Sequence, residues 1–152
     1  MDPESGLSTW LTAATGVSIA NVTIVASGNY AILGASIAGF ALTDSTLTGS
    51  AAADAVIAFT GLTGDVDLLG NVIAGAGGDN LRIENGSGSL DLTIADGANQ
   101  AVIGLNDALA GNDGVLVVTS GTASLTMLVD GVDFLGARGD LLQVVALDSS
   151  VQ

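Results

Sequence analysis

Asp65, Asp67 and Asp91 are the side chains with which this chain could do chemistry. The sequence has no His, Cys or Lys, so it offers no Ser-His or Cys-His couple, no Schiff-base amine and no thiolate or imidazole metal ligand. Carboxylates remain. Aligning residues 66–70 and 90–94 sets Asp67 and Asp91 in one outward row, with Asp65 two residues before Asp67 on the same face. Strands stacked in parallel then hold Asp67 and Asp91 roughly 5 Å apart, a separation suited to an acid pair or a shared cation. The competing reading is a row of solvated acids on an acidic surface.

A second candidate is calcium. Residues 74–82 (AGAGGDNLR) match the nonapeptide G-G-x-G-x-D-x-U-x except for Ala74 in the first place, and residues 111–115 (GNDGV) echo its centre. Glycine frees backbone carbonyls and Asp supplies carboxylate oxygen, which makes Asp79 and Asp113 the candidate calcium ligands. An ion shared between windings needs consecutive copies, whereas these two stand apart, so ordinary turn formation competes. The tripeptide Arg-Gly-Asp at residues 138–140 aligns with the same turn phrase and reads as a repeat corner.

What must position these residues is a recurring phrase of small residue, turn residue, polar anchor and aliphatic. Its anchors are Tyr30, Asp54, Asp79, Gln100 and Asp133, spaced by 24, 25, 21 and 33 residues. A period in the low twenties built from short aliphatic runs and Gly, Asn or Asp turns describes a chain winding around an axis. One strand per winding is expected at 22–25, 45–48, 71–74, 92–95 and 125–129. A second carries inward Ile32, Val56, Leu81, Val102 and Leu135, so that Val56, Leu81 and Val102 lie in single file. A third runs through 39–42, 65–69 and 89–92. The expected fold is all-β: a right-handed parallel β-helix, or β-solenoid, of about five coils.

Residues 1–16 are expected to cap it. Leu7, Trp10, Leu11 and Ala14 fall at helical spacing, predicting a short amphipathic helix over 5–14 with Trp10 across the end of the core. Residues 17–152 then form the solenoid, the two parts making one domain. Residues 106–124 read as an insertion in the fourth coil, forming a side hairpin or a widening. Asn29, Asn71, Asn85, Asn99 and Asn112 fall near corners, where their amides suit left-handed turns and hydrogen bonds from coil to coil.

Composition sets the outer limits. A hydrophobic content of 49% with only 3% aromatic residues calls for a core of stacked Val, Ile, Leu and Ala. The net charge of −14 repels phosphate, which argues against nucleic acid and anionic membrane as partners. No apolar run reaches the roughly 18 residues of a membrane helix, so no membrane insertion is expected. Residues 1–10 lack the basic and apolar regions of a secretory signal.

The coil phrases, the Gly-Asn-Asp turns, the lack of Cys and Lys and the Asp-rich acidity resemble bacterial secreted or surface β-solenoid proteins, in the style of the repeat-in-toxin and large adhesin families. The resemblance covers about residues 17–147. It implies an extracellular or bacterial cell-surface location and calcium as the candidate ion; no other cofactor is expected. The apolar tail at 141–147 lacks a polar cover, which marks Leu141, Leu142, Val144, Val145 and Leu147 as a self-association edge. The leading expectation is a non-enzymatic structural or interaction protein, a rigid module that forms homo-oligomers end to end. The alternatives are a β-helix that binds or cleaves polysaccharide through Asp65, Asp67 and Asp91, and a calcium-stabilised repeat module.

Overall fold

Runs of Val, Ile, Leu and Thr broken by small polar residues form short strands, because alternating side chains divide between a dry interior and solvent. The computed structural model describes residues 9–26, 28–105, 112–148 and 150–151. These form a parallel β-solenoid of five coils and the beginning of a further one, with three faces per coil.

Face one stacks β1 (Thr9–Thr12), the first part of β4 (Ile32–Thr43), the first part of β6 (Ala55–Leu69), β8 (Asp79–Asn85), β11 (Val115–Ser120) and β14 (Leu142–Leu147). Face two stacks β2 (Thr15–Ala20), the remainders of β4 and β6, β9 (Ser89–Ala95), β12 (Ser124–Asp130) and β15 (Ser150–Val151). The long strands β4 and β6 run through both faces, which makes them one bent ten-stranded sheet. Face three is a separate five-stranded sheet of β3 (Thr23–Val25), β5 (Thr46–Thr48), β7 (Val72–Ala74), β10 (Val102–Gly104) and β13 (Asp133–Leu135).

The registers put like on like inside the tube. Ile32, Ile57, Leu81, Val115 and Leu142 form one column of face one, and Leu11, Gly34, Phe59, Ile83, Val117 and Val144 form the next. Face two supplies Val17, Phe40, Val66, Leu92 and Met127, and face three Ile24, Leu47, Ile73, Ile103 and Phe134. The buried asparagines enter this core with partners, whereas Ser50 Oγ is a buried hydroxyl without one among the described residues. Asn71 accepts from the Ser45 N–H at 2.9 Å and donates to the Leu42 carbonyl, while Asn85 accepts from the Leu62 N–H at 2.8 Å and donates to the Leu62 carbonyl. Each amide closes a gap between coils that a hydrocarbon would leave unsatisfied. Where face two turns into face three, Asn21, Asp44, Gly70 and Gly131 of four coils all have positive φ, as a tight corner demands.

Four expectations are corrected. The described residues contain no helix: residues 5–8 of the expected cap lie outside them, and Thr9–Thr12 is strand β1, its Leu11 inward and Trp10 74% exposed. The expected insertion is no side hairpin, since Val115–Ser120 and Ser124–Asp130 are regular strands of the stack; residues 106–111 lie outside the description. Val56, Leu81 and Val102 are not in file, because Ile57 stands beneath Leu81 and Val102 pairs with Val72 on face three. Gln100 sits at the corner between faces two and three and Asp133 opens β13 just past it, whereas Asp79, Asp113 and Asp140 lie at the corner that leads into face one.

Candidate functional site

An open groove of about 430 Å³ runs along the corner into face two, over Asp65, Ser89, Asp91, Ser124 and Thr126. The register stacks Asp91 directly on Asp65 and Thr126 on Asp91. Ser124 Oγ hydrogen-bonds Ser89 Oγ at 3.0 Å, so the hydroxyls form a short line beside the carboxylates. Asp67 lies in another row, with Ala41 beneath it and Thr93 above. The sequence alignment therefore found the right face and the wrong neighbour: the acid pair is Asp65 with Asp91. All three acids are exposed. Such a surface accepts hydrogen bonds from hydroxyl groups of a ligand. Among the described residues no group of three or more His, Cys, Asp or Glu is arranged to hold a metal ion.

Asp79 and Asp113 occupy a different place. Both are buried at the corner into face one. One oxygen of Asp79 accepts from Asn112 Nδ2 at 2.8 Å and from the Asp113 N–H at 3.1 Å; the other takes Arg82 Nε at 2.8 Å. Asp113 in turn accepts from the Asp140 N–H at 2.8 Å. Each carboxylate thus ties its own coil to the backbone of the next, and Arg82 balances the buried charge of Asp79. Burial alone lowers the Arg82 pKa, yet the hydrogen bond and charge of Asp79, with the charges of Glu84 and Asp54, leave it raised. The Arg-Gly-Asp segment belongs to this ladder, with the Gly139 N–H donating to the Asn112 carbonyl at 2.8 Å.

One coil below, Tyr30 donates its hydroxyl to Asp54 at 3.2 Å. Partial burial, then the charge of Asp54 and that hydrogen bond, raise the phenol above its ordinary pKa near 10. Tyr30 is the only tyrosine, so phenolate absorbance reads this group alone. Its midpoint should lie higher in the folded protein than in denaturant, and Asp54→Asn should bring it down. A phenol raised on folding favours the folded state below its unfolded pKa, and that contribution is lost as pH rises through the folded value. Equal midpoints in folded and unfolded chain would refute the contact.

Large apolar side chains are also exposed along β14 and just before it. Leu141, Leu142, Val144 and Leu147 are exposed and Val145 is half-buried. β14 has one partner, β11, so its outer edge is unpaired among the described residues. Sequence reasoning missed the ion pair of Asp79 with Arg82, for which the one available signal was an isolated Arg three residues after an Asp. Compared with known proteins, the chain matches no family model, and no curated protein or solved structure matches it.

Proposed function

We propose that this protein is a structural or interaction module without catalytic activity, a rigid right-handed solenoid that associates with further copies through its C-terminal end at a bacterial cell surface or outside the cell. The observation that carries this reading is the state of two core columns at that end. Leu142 and Val144 continue columns whose lower members Leu81, Ile83, Val115 and Val117 are fully buried, yet each is 39% exposed. Among the described residues the outer edge of β14 has no partner, and an unpaired edge beside a partly exposed apolar column favours addition of another strand.

The charge distribution supports one polarity of association. Residues 9–43 contain no charged side chain, while Asp130, Asp133, Asp140 and Asp148 surround the last coil. Two C-terminal ends would set acids against acids, whereas the coil beginning at Thr9, with only Asp2 and Glu4 before it in the sequence, meets that end with less repulsion. Sedimentation velocity and negative-stain microscopy test the proposal. Particles should lengthen with protein concentration and with salt, which screens the net charge of −14. Val144→Asp should remain monomeric with an unchanged β spectrum, because it places a charge on the edge column where only one coil packs against it. A wild-type protein that stays monomeric at high concentration and high salt would refute self-association.

A further inference from the structure

One corner of the solenoid is longer than its equivalents. Two residues separate face two from face three in the first, second, third and fifth coils: Asn21 and Val22, Asp44 and Ser45, Gly70 and Asn71, Gly131 and Val132. In the fourth coil the same corner holds residues 96–101. Asp96 Oδ1 accepts from the Ala101 N–H at 2.7 Å and closes the base of this loop. The four extra residues, 97–100, are exposed but lie along the tube surface rather than standing away from it. They turn back along the tube, and both Asn99 N–H and Asn99 Nδ2 donate to Asp44 Oδ1, at 2.9 and 3.3 Å.

Asp44 belongs to the second coil, so the contact skips the third. Gly70 is the third coil's residue at this corner, and its missing side chain makes the passage. A Cβ there would lie 2.9 Å from the Asn99 carbonyl oxygen and 3.1 Å from Gly97 Cα, and would run into Asp44 Oδ1. With φ at +65° the position is also left-handed, so Gly70 answers two demands at once. Toward the other end, Gln100 Nε2 donates to Asp133 Oδ2 of the fifth coil at 2.8 Å. Residues 97–100 therefore reach the second, third and fifth coils from the fourth.

In a solenoid each coil ordinarily contacts only its neighbours, and stability is a sum of coil and nearest-neighbour contributions. Such a chain can open from an end, coil by coil. A contact that skips a coil changes this, because the third coil cannot separate from the fourth without also breaking the link to the second. We infer that residues 97–100 are a built-in strap, hooked on Asp44 and seated on Gly70, that makes the second, third and fourth coils open as one cooperative unit. The strap is a conformational device separate from the end-to-end edge, and it shares no residue with the groove over Asp65, Ser89 and Asp91.

Native-state hydrogen exchange across a denaturant series tests it on the full chain. The Val72 N–H bonds the Ser45 carbonyl between the second and third coils, and the Val102 N–H bonds the Asn71 carbonyl between the third and fourth. In the wild type both amides should exchange with the same denaturant slope. Asp44→Ala should separate the two slopes and speed exchange of the Asn99 amide roughly tenfold. Asp44→Asn, which keeps an acceptor oxygen, should hold the slopes together. Deleting residues 97–100 restores the two-residue corner of the other coils and should separate the slopes in a folded protein. Slopes that already differ in the wild type, or that stay merged in both Asp44→Ala and the deletion, would overturn the strap.

Discussion

Phe59→Ala is expected to destabilise the protein by about 3–5 kcal/mol, the cost of emptying a large buried aromatic site. Phe59 is 2% exposed and stands in a column whose member one coil below is Gly34. A Cβ on Gly34 would run into the Phe59 ring, so the ring fills its own level and the space that Gly34 leaves. It also meets Phe40 of face two, with ring centroids 4.9 Å apart and planes inclined by 60°, a tilted pairing that adds to simple burial. For a domain of this size the loss corresponds to roughly 6–20 °C in Tm. Thermal and urea unfolding measure both figures.

The same column predicts how two substitutions combine. Gly34→Ala alone crowds the ring and should cost about 1–3 kcal/mol. Gly34 is not held at positive φ, so the cost is steric and depends on its neighbour. In a Phe59→Leu background the added methyl has room, and Gly34→Ala should become close to neutral. The coupling between the two sites should exceed about 0.5 kcal/mol. Strictly additive losses would mean that the two residues do not share one packed column.

These columns explain what the sequence reveals and what it hides. Uniform aliphatic side chains stacked on their own kind leave a period of inward and outward residues, so the solenoid and its third-face strands at 23–25, 46–48 and 72–74 are legible. The asparagines are legible too, because Asn71, Asn85, Asn99 and Asn112 all bond across coils. Register is another matter. A slip of two residues keeps every side chain on its face, so hydrophobic pattern alone does not separate Asp91 over Asp67 from Asp91 over Asp65. The corner phrases add to the ambiguity, because small-turn-polar-aliphatic describes two of the three corners. Gln100 and Asp133 thus read as equivalents of Asp79, and the four strap residues hide inside an apparent repeat. At the start of the chain, Trp10, Leu11 and Ala14 carry helical spacing, but pairing of Thr9–Thr12 with β4 decides the matter. Tertiary pairing overrides a local pattern of that length.

Asp79→Ala is the second large effect expected, about 3–5 kcal/mol, because it strips the half-buried Arg82 guanidinium and two other donors of their buried acceptor. Arg82 Nε, Asn112 Nδ2 and the Asp113 N–H converge on this carboxylate. Asp79→Asn should cost less, since one amide oxygen still serves Asn112 and Asp113, but its NH₂ group then faces the Arg82 guanidinium. Asp79→Ala with Arg82→Met should recover part of the loss by removing the uncompensated charge. The pair also bears on calcium, since a cation at Asp79 would have to displace Arg82 and both N–H donors. Millimolar calcium or a chelator should therefore leave the wild-type Tm unchanged within about 1 °C, whereas a site bound a hundredfold above its Kd would add about 2.7 kcal/mol. A calcium-dependent rise in Tm that disappears in Asp79→Ala would show instead that the corner opens to an ion, and that Arg82 holds the place only in its absence.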